Sequence, residues 1–259
     1  MKLPLYQIDA FADGPFTGNP AAVCPLEEWL PEATMQAIAE ENNLAETAFY
    51  VGRDGHYDLR WFTPVREVDL CGHATLAAAH VVFAEGNYGS GRITFSSKSG
   101  PLHVTRKGDW LTLDFPVQPG TPCAVPAGMA EALGATPREC YRAMDYLAVF
   151  EREAEIVALK PNFQALTALD LRGVIVTAPG TTCDFVSRFF APNYGVNEDP
   201  VTGSAHCTLT PYWAARLGKT TLDARQLSKR TGTLHCQLQG NRVLISGRTI
   251  AYLRGTIEV

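Results

Sequence analysis

Glu46 lies in the run Leu44-Ala45-Glu46-Thr47-Ala48-Phe49-Tyr50-Val51, with no other charge between Glu41 and Arg53. On a strand it shares a face with Leu44 and Ala48, so its carboxyl is expected to be partly desolvated and its pKa raised. A carboxyl tuned upward can both remove and return a proton near neutral pH. The plain alternative is an exposed residue at a strand end. Two further sequences, Gly72-His73 and Gly203-Ser204, open segments that read as helices. The first amides of a helix lack internal partners and carry partial positive charge. A glycine there lets a ligand approach the backbone, so each start could hold a small anion such as a carboxylate. Each could equally be an ordinary turn glycine. His73 at such a start is expected to stay neutral, as donor or acceptor, unless it is simply packed. Asp199-Pro200-Val201-Thr202-Gly203-Ser204 places an acid and hydroxyls ahead of the second start; there Asp199 or Thr202 could do no more than cap the helix. Cys71 next to His73 suggests a thiol nucleophile, but near neighbours in sequence rarely turn their side chains toward each other.

The elements that must position these residues come as a repeat. Arg60-Trp61-Phe62-Thr63-Pro64 leads to Cys71-Gly72-His73-Ala74, and Arg188-Phe189-Phe190-Ala191-Pro192 leads to Thr202-Gly203-Ser204-Ala205. Ahead of the first copy a helix is expected from Pro31 to Asn42 and a strand from Thr47 to Gly52; ahead of the second, Pro161 to Ala168 and Gly173 to Ala178. Each copy ends in a helix almost free of charge. One runs from Ala74 to Glu85 and stops at Gly86-Asn87; the other runs from Ser204 to Leu217, stops at Gly218 and is kinked at Pro211. A helix apolar on all sides must be enclosed. The other segments read as short strands: Leu3–Phe11, Tyr57–Thr63, Arg92–Ser96, Leu111–Phe115, Val174–Thr177, Phe185–Phe190, Leu234–Gln239, Val243–Ser246 and Tyr252–Ile257. The expected architecture is α+β: two pseudo-symmetric domains, each a rolled, mostly antiparallel sheet around a central helix, facing each other across a cleft. The proline- and glycine-rich segment from Pro116 to Gly128 reads as the linker. It divides the chain into residues 1–117, which carry Glu46, and 118–259, with the last strand free to join either half.

Composition narrows the function classes. The 259 residues are 46% hydrophobic and 19% charged, with a net charge of −5, which suits a packed globular chain. No cluster of Lys and Arg offers a nucleic-acid footprint. No uncharged run reaches the roughly 20 residues that cross a bilayer, and Met1-Lys2-Leu3-Pro4 lacks the plan of a signal peptide. Seven scattered cysteines without a C-x-x-C point to reduced thiols and a cytoplasmic location. The histidine and carboxylate spacings match no metal site. Without G-x-G-x-x-G or G-x-x-x-x-G-K-[ST], no nucleotide cofactor is expected. The expected partner is a small anionic metabolite.

In order along almost the whole chain, several stretches resemble the PhzF-like family of phenazine-biosynthesis isomerases, within the diaminopimelate-epimerase-like fold. They are Asp9-Ala10-Phe11 with Gly14-Pro15-Phe16-Thr17-Gly18-Asn19-Pro20-Ala21, Asn43 to Phe49, the two Arg-led motifs, and Glu198 to His206. The resemblance implies a cofactor-independent isomerase, often a homodimer, in which a glutamate moves a proton between carbons of a small, cyclic carboxylate. It assigns that role to Glu46 and implies catalytic or substrate-holding roles for His73 and Asp199. It further implies substrate contacts at Ser204, at the backbone of Gly72 and Gly203, and at Gly18-Asn19 on a loop over the cleft. Epimerases and racemases of this fold use two thiols, one before each central helix. This chain has Cys71 at the first position but Thr202 at the second, and a threonine hydroxyl is a poor proton-transfer group. Racemisation, epimerisation or dehydration through Cys71, and a non-catalytic metabolite-binding protein, remain as alternatives.

Overall fold

The computed structural model describes residues 1–85 and 91–259; the expected stop at Gly86-Asn87 lies outside them. The chain divides into two compact units, Met1–Asp114 with Ser246–Val259, and Phe115–Ile245. The first unit runs β1 (Lys2–Ala10), β2 (Asn19–Leu26), α1 (Glu32–Asn42), β3 (Glu46–Arg53), β4 (His56–Phe62), β5 (Glu67–Val68), α2 (Gly72–Glu85), β6 (Arg92–Ser97), β7 (Gly100–Lys107) and β8 (Trp110–Pro116). The second begins with β9 (Thr121–Cys123), α3 (Met129–Leu133), β10 (Glu139–Arg142), β11 (Tyr146–Val149), α4 (Glu153–Ala158) and α5 (Phe163–Leu166). It continues with β12 (Val174–Pro179), β13 (Phe185–Ala191), β14 (Val196–Asp199), α6 (Gly203–Leu217), β15 (Thr221–Gln226), β16 (Gly232–Gln239) and β17 (Arg242–Gly247). The last strand, β18 (Thr249–Glu258), pairs antiparallel with β1, from Ala10↔Thr249 to Lys2↔Glu258, and so belongs to the first unit.

The duplicated motifs rest on a duplicated topology. In the first unit β1–β2 is antiparallel, β2–β3 parallel, β3–β4 antiparallel, β4–β6 parallel and β6–β7 antiparallel. In the second, β10–β11, β11–β12, β12–β13, β13–β15 and β15–β16 follow the same alternation. Each parallel pair needs a crossover: α1 and α2 provide them in the first unit, and α4 with α5, then α6, in the second. Each sheet is therefore mixed. It contains two parallel pairs among mostly antiparallel ones, as expected.

Ten of the fourteen residues of α2 are buried, and the helix packs against β1, β2 and β3. In α6 nine of fifteen are buried, against β15 and β16. Pro211 inside α6 has no N–H for the carbonyl four residues back. That carbonyl, of Cys207, instead accepts from the Gln118 amide at 3.0 Å, so the missing helical bond is replaced from the interdomain segment. This segment is not wholly a linker, since β9 within it pairs with β10.

The Arg of each repeated motif acts as a clamp. Arg60 donates twice to Glu67, at 2.7 and 2.8 Å, and lies over the Phe62 ring. Arg188 does the same to Glu198, at 2.7 and 3.0 Å, over Phe190. Both acids sit on the short strand paired to the Arg strand, β5 or β14. The hydrogen bonds from Arg60 win against burial, and with help from Lys98 they hold the Glu67 pKa down to about 2. A folded-state pKa below the unfolded one adds stability that is complete above the unfolded value of about 4.5 and fades as pH falls toward 2. Glu67→Gln should therefore be less stable than the wild type at pH 7, with the gap closing between pH 4 and 2 in urea melts; a gap independent of pH would contradict the clamp.

Candidate active site

Glu46 is the first residue of β3, placed against Ala21 of β2. Its carboxylate is half-buried, and Oε2 lies 3.2 Å from Nε2 of His73, the second residue of α2. The other ring nitrogen, Nδ1, lies 3.2 Å from the Asn19 side-chain amide nitrogen and 3.5 Å from Cys71 Sγ.

The structure corrects three expectations here. Asn19 is not on a loop. It is the fully buried first residue of β2, reached through Gly18 in the left-handed region (φ +72°), where an added Cβ would lie 2.4 Å from the Ala10 carbonyl oxygen. Cys71 and His73, two residues apart, do turn toward each other, because Cys71 precedes the first helical turn and His73 lies within it. Nor is neutrality imposed on His73 by its place in the helix. Burial opposes the charged ring, but Cys71 and Glu46 outweigh it and hold the pKa well above the ordinary value. Burial, with Glu46 second, pushes the Cys71 thiol up to about 11. It is protonated at neutral pH.

Among the described residues, Glu46, Cys71 and His73 form the group whose ligand-type atoms, all within 4.8 Å of one another, could hold a metal ion. A protonated thiol is a poor ligand, and Cys71 and Glu46 approach different ring nitrogens. The trio is suited to handling protons.

In the second unit, Asp199 ends β14, and Thr202 precedes α6. Thr202 does not cap the helix with its side chain; its hydroxyl donates to Asp199 Oδ2. Gln226, buried at the end of β15, fixes the turn between them. Its Oε1 accepts from the Thr202 amide at 2.8 Å, and its Nε2 donates to the Asp199 carbonyl at 2.8 Å and to Thr202 Oγ1 at 3.1 Å. Ser204 Oγ accepts from Arg172 at 3.1 Å, and Arg172 is paired twice to the buried Asp145. Gly203 opens α6 and is itself buried. Gln226, Arg172 and Asp145 escape a sequence reading because each sits outside the repeated motifs and reaches its partners only through the folded sheet.

The family model for phenazine biosynthesis-like proteins matches residues 8–255. The chain is 56% identical over its full length to the full length of an uncharacterized isomerase of Pseudomonas aeruginosa. The crystal structure of a PhzF family protein of Enterococcus faecalis superposes with a TM-score of 0.98 at 50% identity, covering all of both chains. A hydroxyproline epimerase of Agrobacterium vitis shares the fold alone, with a TM-score of 0.64 at 11% identity over 99% of this chain and 92% of that one. No helix among the described residues is long and apolar enough to cross a membrane.

Proposed function

This chain belongs to the phenazine biosynthesis-like (PhzF) family and is an isomerase, and we propose that it works by moving a proton between carbons of a small, cyclic carboxylate, with Glu46 as both base and acid. The observation that carries this reading is the Glu46 carboxylate 3.2 Å from His73 at the start of a buried helix. The free amides at Gly72-His73 take the substrate carboxylate. Glu46 removes a proton from a carbon made acidic by conjugation, and the resulting carboxylic acid, whose proton exchanges with solvent, delivers a proton to a second carbon of the same conjugated system. No group other than Glu46 and substrate gains or loses a proton over the cycle. His73, 3.2 Å away, steadies the Glu46 carboxylate through both steps, while the Asn19 side chain lies against the other ring nitrogen. Asp199 and Ser204 act on polar substituents of the substrate, and the amides at Gly203-Ser204 form the second unit's anion-binding start. The test is isomerisation of candidate cyclic amino-acid dienes in heavy water by the wild type. Deuterium at a single product carbon, lost in Glu46→Gln, supports the reading; turnover with exchange unaffected by that substitution overturns it.

The 3.5 Å approach of Cys71 to His73 favours a second reading, racemisation or dehydration through the thiol. With its pKa at about 11, only on the order of one Cys71 in ten thousand is thiolate at pH 7. Cys71→Ala is therefore expected to keep turnover within a few fold, and Cys71 to resist iodoacetamide at pH 7. Loss of activity in Cys71→Ala, with activity surviving in Glu46→Gln, would select the thiol mechanism.

A further inference from the structure

We infer that the first unit carries a second small-molecule site, for a zwitterionic amino acid with an apolar side chain, at the opposite end of α2 from Glu46. A half-open cavity of about 360 Å³ lies there, lined wholly by first-unit residues. Phe83 of α2 is one of them. It lies ten residues beyond His73, or ~15 Å along the helix, so the cavity is separate from the Glu46–His73 pair.

Its chemistry is that of a receptor for opposite charges around an apolar floor. Arg106 and Arg248 both line it. The first guanidinium is stacked over Phe83 at 4.6 Å and donates one N–H to the Phe83 carbonyl; the second is stacked over Trp110 at 5.1 Å. Among the described residues neither is within salt-bridge reach of a carboxylate. A guanidinium held over an aromatic face is oriented in advance and keeps N–H groups for a carboxylate. Asp13 and Asp109 line the same cavity. They disfavour a multiply charged anion such as phosphate and favour a ligand that brings an ammonium group with its carboxylate. Phe83, Leu111 and Ile250 supply apolar wall. His80 is committed to the Thr249 hydroxyl at 2.8 Å, and burial lowers its pKa, so it adds a neutral wall and not a third cation. The volume admits a side chain the size of leucine or phenylalanine.

The test is calorimetric titration of the full chain with L-leucine and L-phenylalanine, with 3-phenylpropanoate and inorganic phosphate as comparisons. Saturable binding of at least one amino acid is expected, tighter by tenfold or more than binding of 3-phenylpropanoate or phosphate. Arg106→Gln and Arg248→Gln should each weaken it at least tenfold, while Glu46→Gln leaves it unchanged. Arg106→Lys and Arg248→Lys keep the charge without the planar fork, and either can stand in if a glutamine variant fails to fold; each should also bind more weakly than the wild type. Absence of binding by both amino acids, a preference for phosphate, or binding that survives the arginine substitutions overturns the proposal. So does binding lost only in Glu46→Gln, which would place the ligand at the proton-transfer site and leave the isomerase reading intact.

Discussion

Glu46→Gln is expected to lower turnover by about 10²–10⁴-fold, the usual contribution of a positioned acid/base group, while the protein stays folded. Glutamine keeps the shape of the side chain, and its amide oxygen can still face His73 Nε2, which lies 3.2 Å from the carboxylate. What it loses is the capacity to hold and return a proton. Because the substrate carboxylate is assigned to the helix amides and not to Glu46, KM should change by only a few fold, so the loss falls on kcat. The second readout is wash-in of solvent deuterium, measured on substrate recovered before equilibrium and expected to fall in parallel with turnover. A Glu46→Gln protein with normal kcat would remove Glu46 from the chemistry. One with normal kcat but strongly raised KM would make it a binding residue. Glu46→Asp separates position from charge: it keeps the acid but draws it back by one methylene, so a loss of tens to hundreds of fold is expected from displacement alone.

The sequence shows this site unevenly, for identifiable reasons. Both central helices are legible because α2 and α6 are nearly uncharged over fourteen and fifteen residues, and such a helix can only be interior. The duplication is legible because the Arg-led motifs are held by one clamp used twice. By contrast β2 leaves no mark in the sequence. Its residues, Asn-Pro-Ala-Ala-Val-Cys-Pro-Leu, are buried on both faces, so the two-residue alternation of a half-exposed strand never appears. Asn19 goes with it, since nothing local shows that it heads β2 against the His73 ring. The expected neutrality of His73 fails for a related reason. Helix position can be read from sequence, but Cys71 and the Glu46 carboxylate, the latter 27 residues away, together outweigh burial. Gln226 is the extreme case, a lone amide with no local signal that satisfies three groups of the Asp199–Thr202 turn.

The clamp leads to the largest expected effect on stability, at Arg188. Its guanidinium makes two bonds to Glu198 and one to each of the Ile156 and Leu159 carbonyls, the latter both at 3.0 Å, at the end of α4. Arg188→Met keeps the apolar contact with Phe190 but leaves a largely buried carboxylate and two carbonyls without their donor. Breaking one side of a buried pair costs about 3–5 kcal/mol, a drop on the order of 10 °C in Tm for a chain of this size. Arg60→Met should cost less, because Glu67 keeps Lys98 at 2.5 Å and the third partner, Glu32, is exposed. Arg188→Lys should recover only part of the loss, since an ammonium cannot make the paired fork to Glu198 and also reach both carbonyls. The double variant Arg188→Met with Glu198→Leu should be more stable than Arg188→Met alone, because the stranded charge goes with its partner. Thermal melts of the four proteins decide the matter: an Arg188→Met protein within about 1 kcal/mol of the wild type would mean the pair behaves as an exposed surface bridge. Glu198 is joined directly to Asp199 in β14, so Arg188→Met should also reduce kcat/KM at temperatures where the fold persists, and the glutamate-side substitution alone should reproduce that reduction in part.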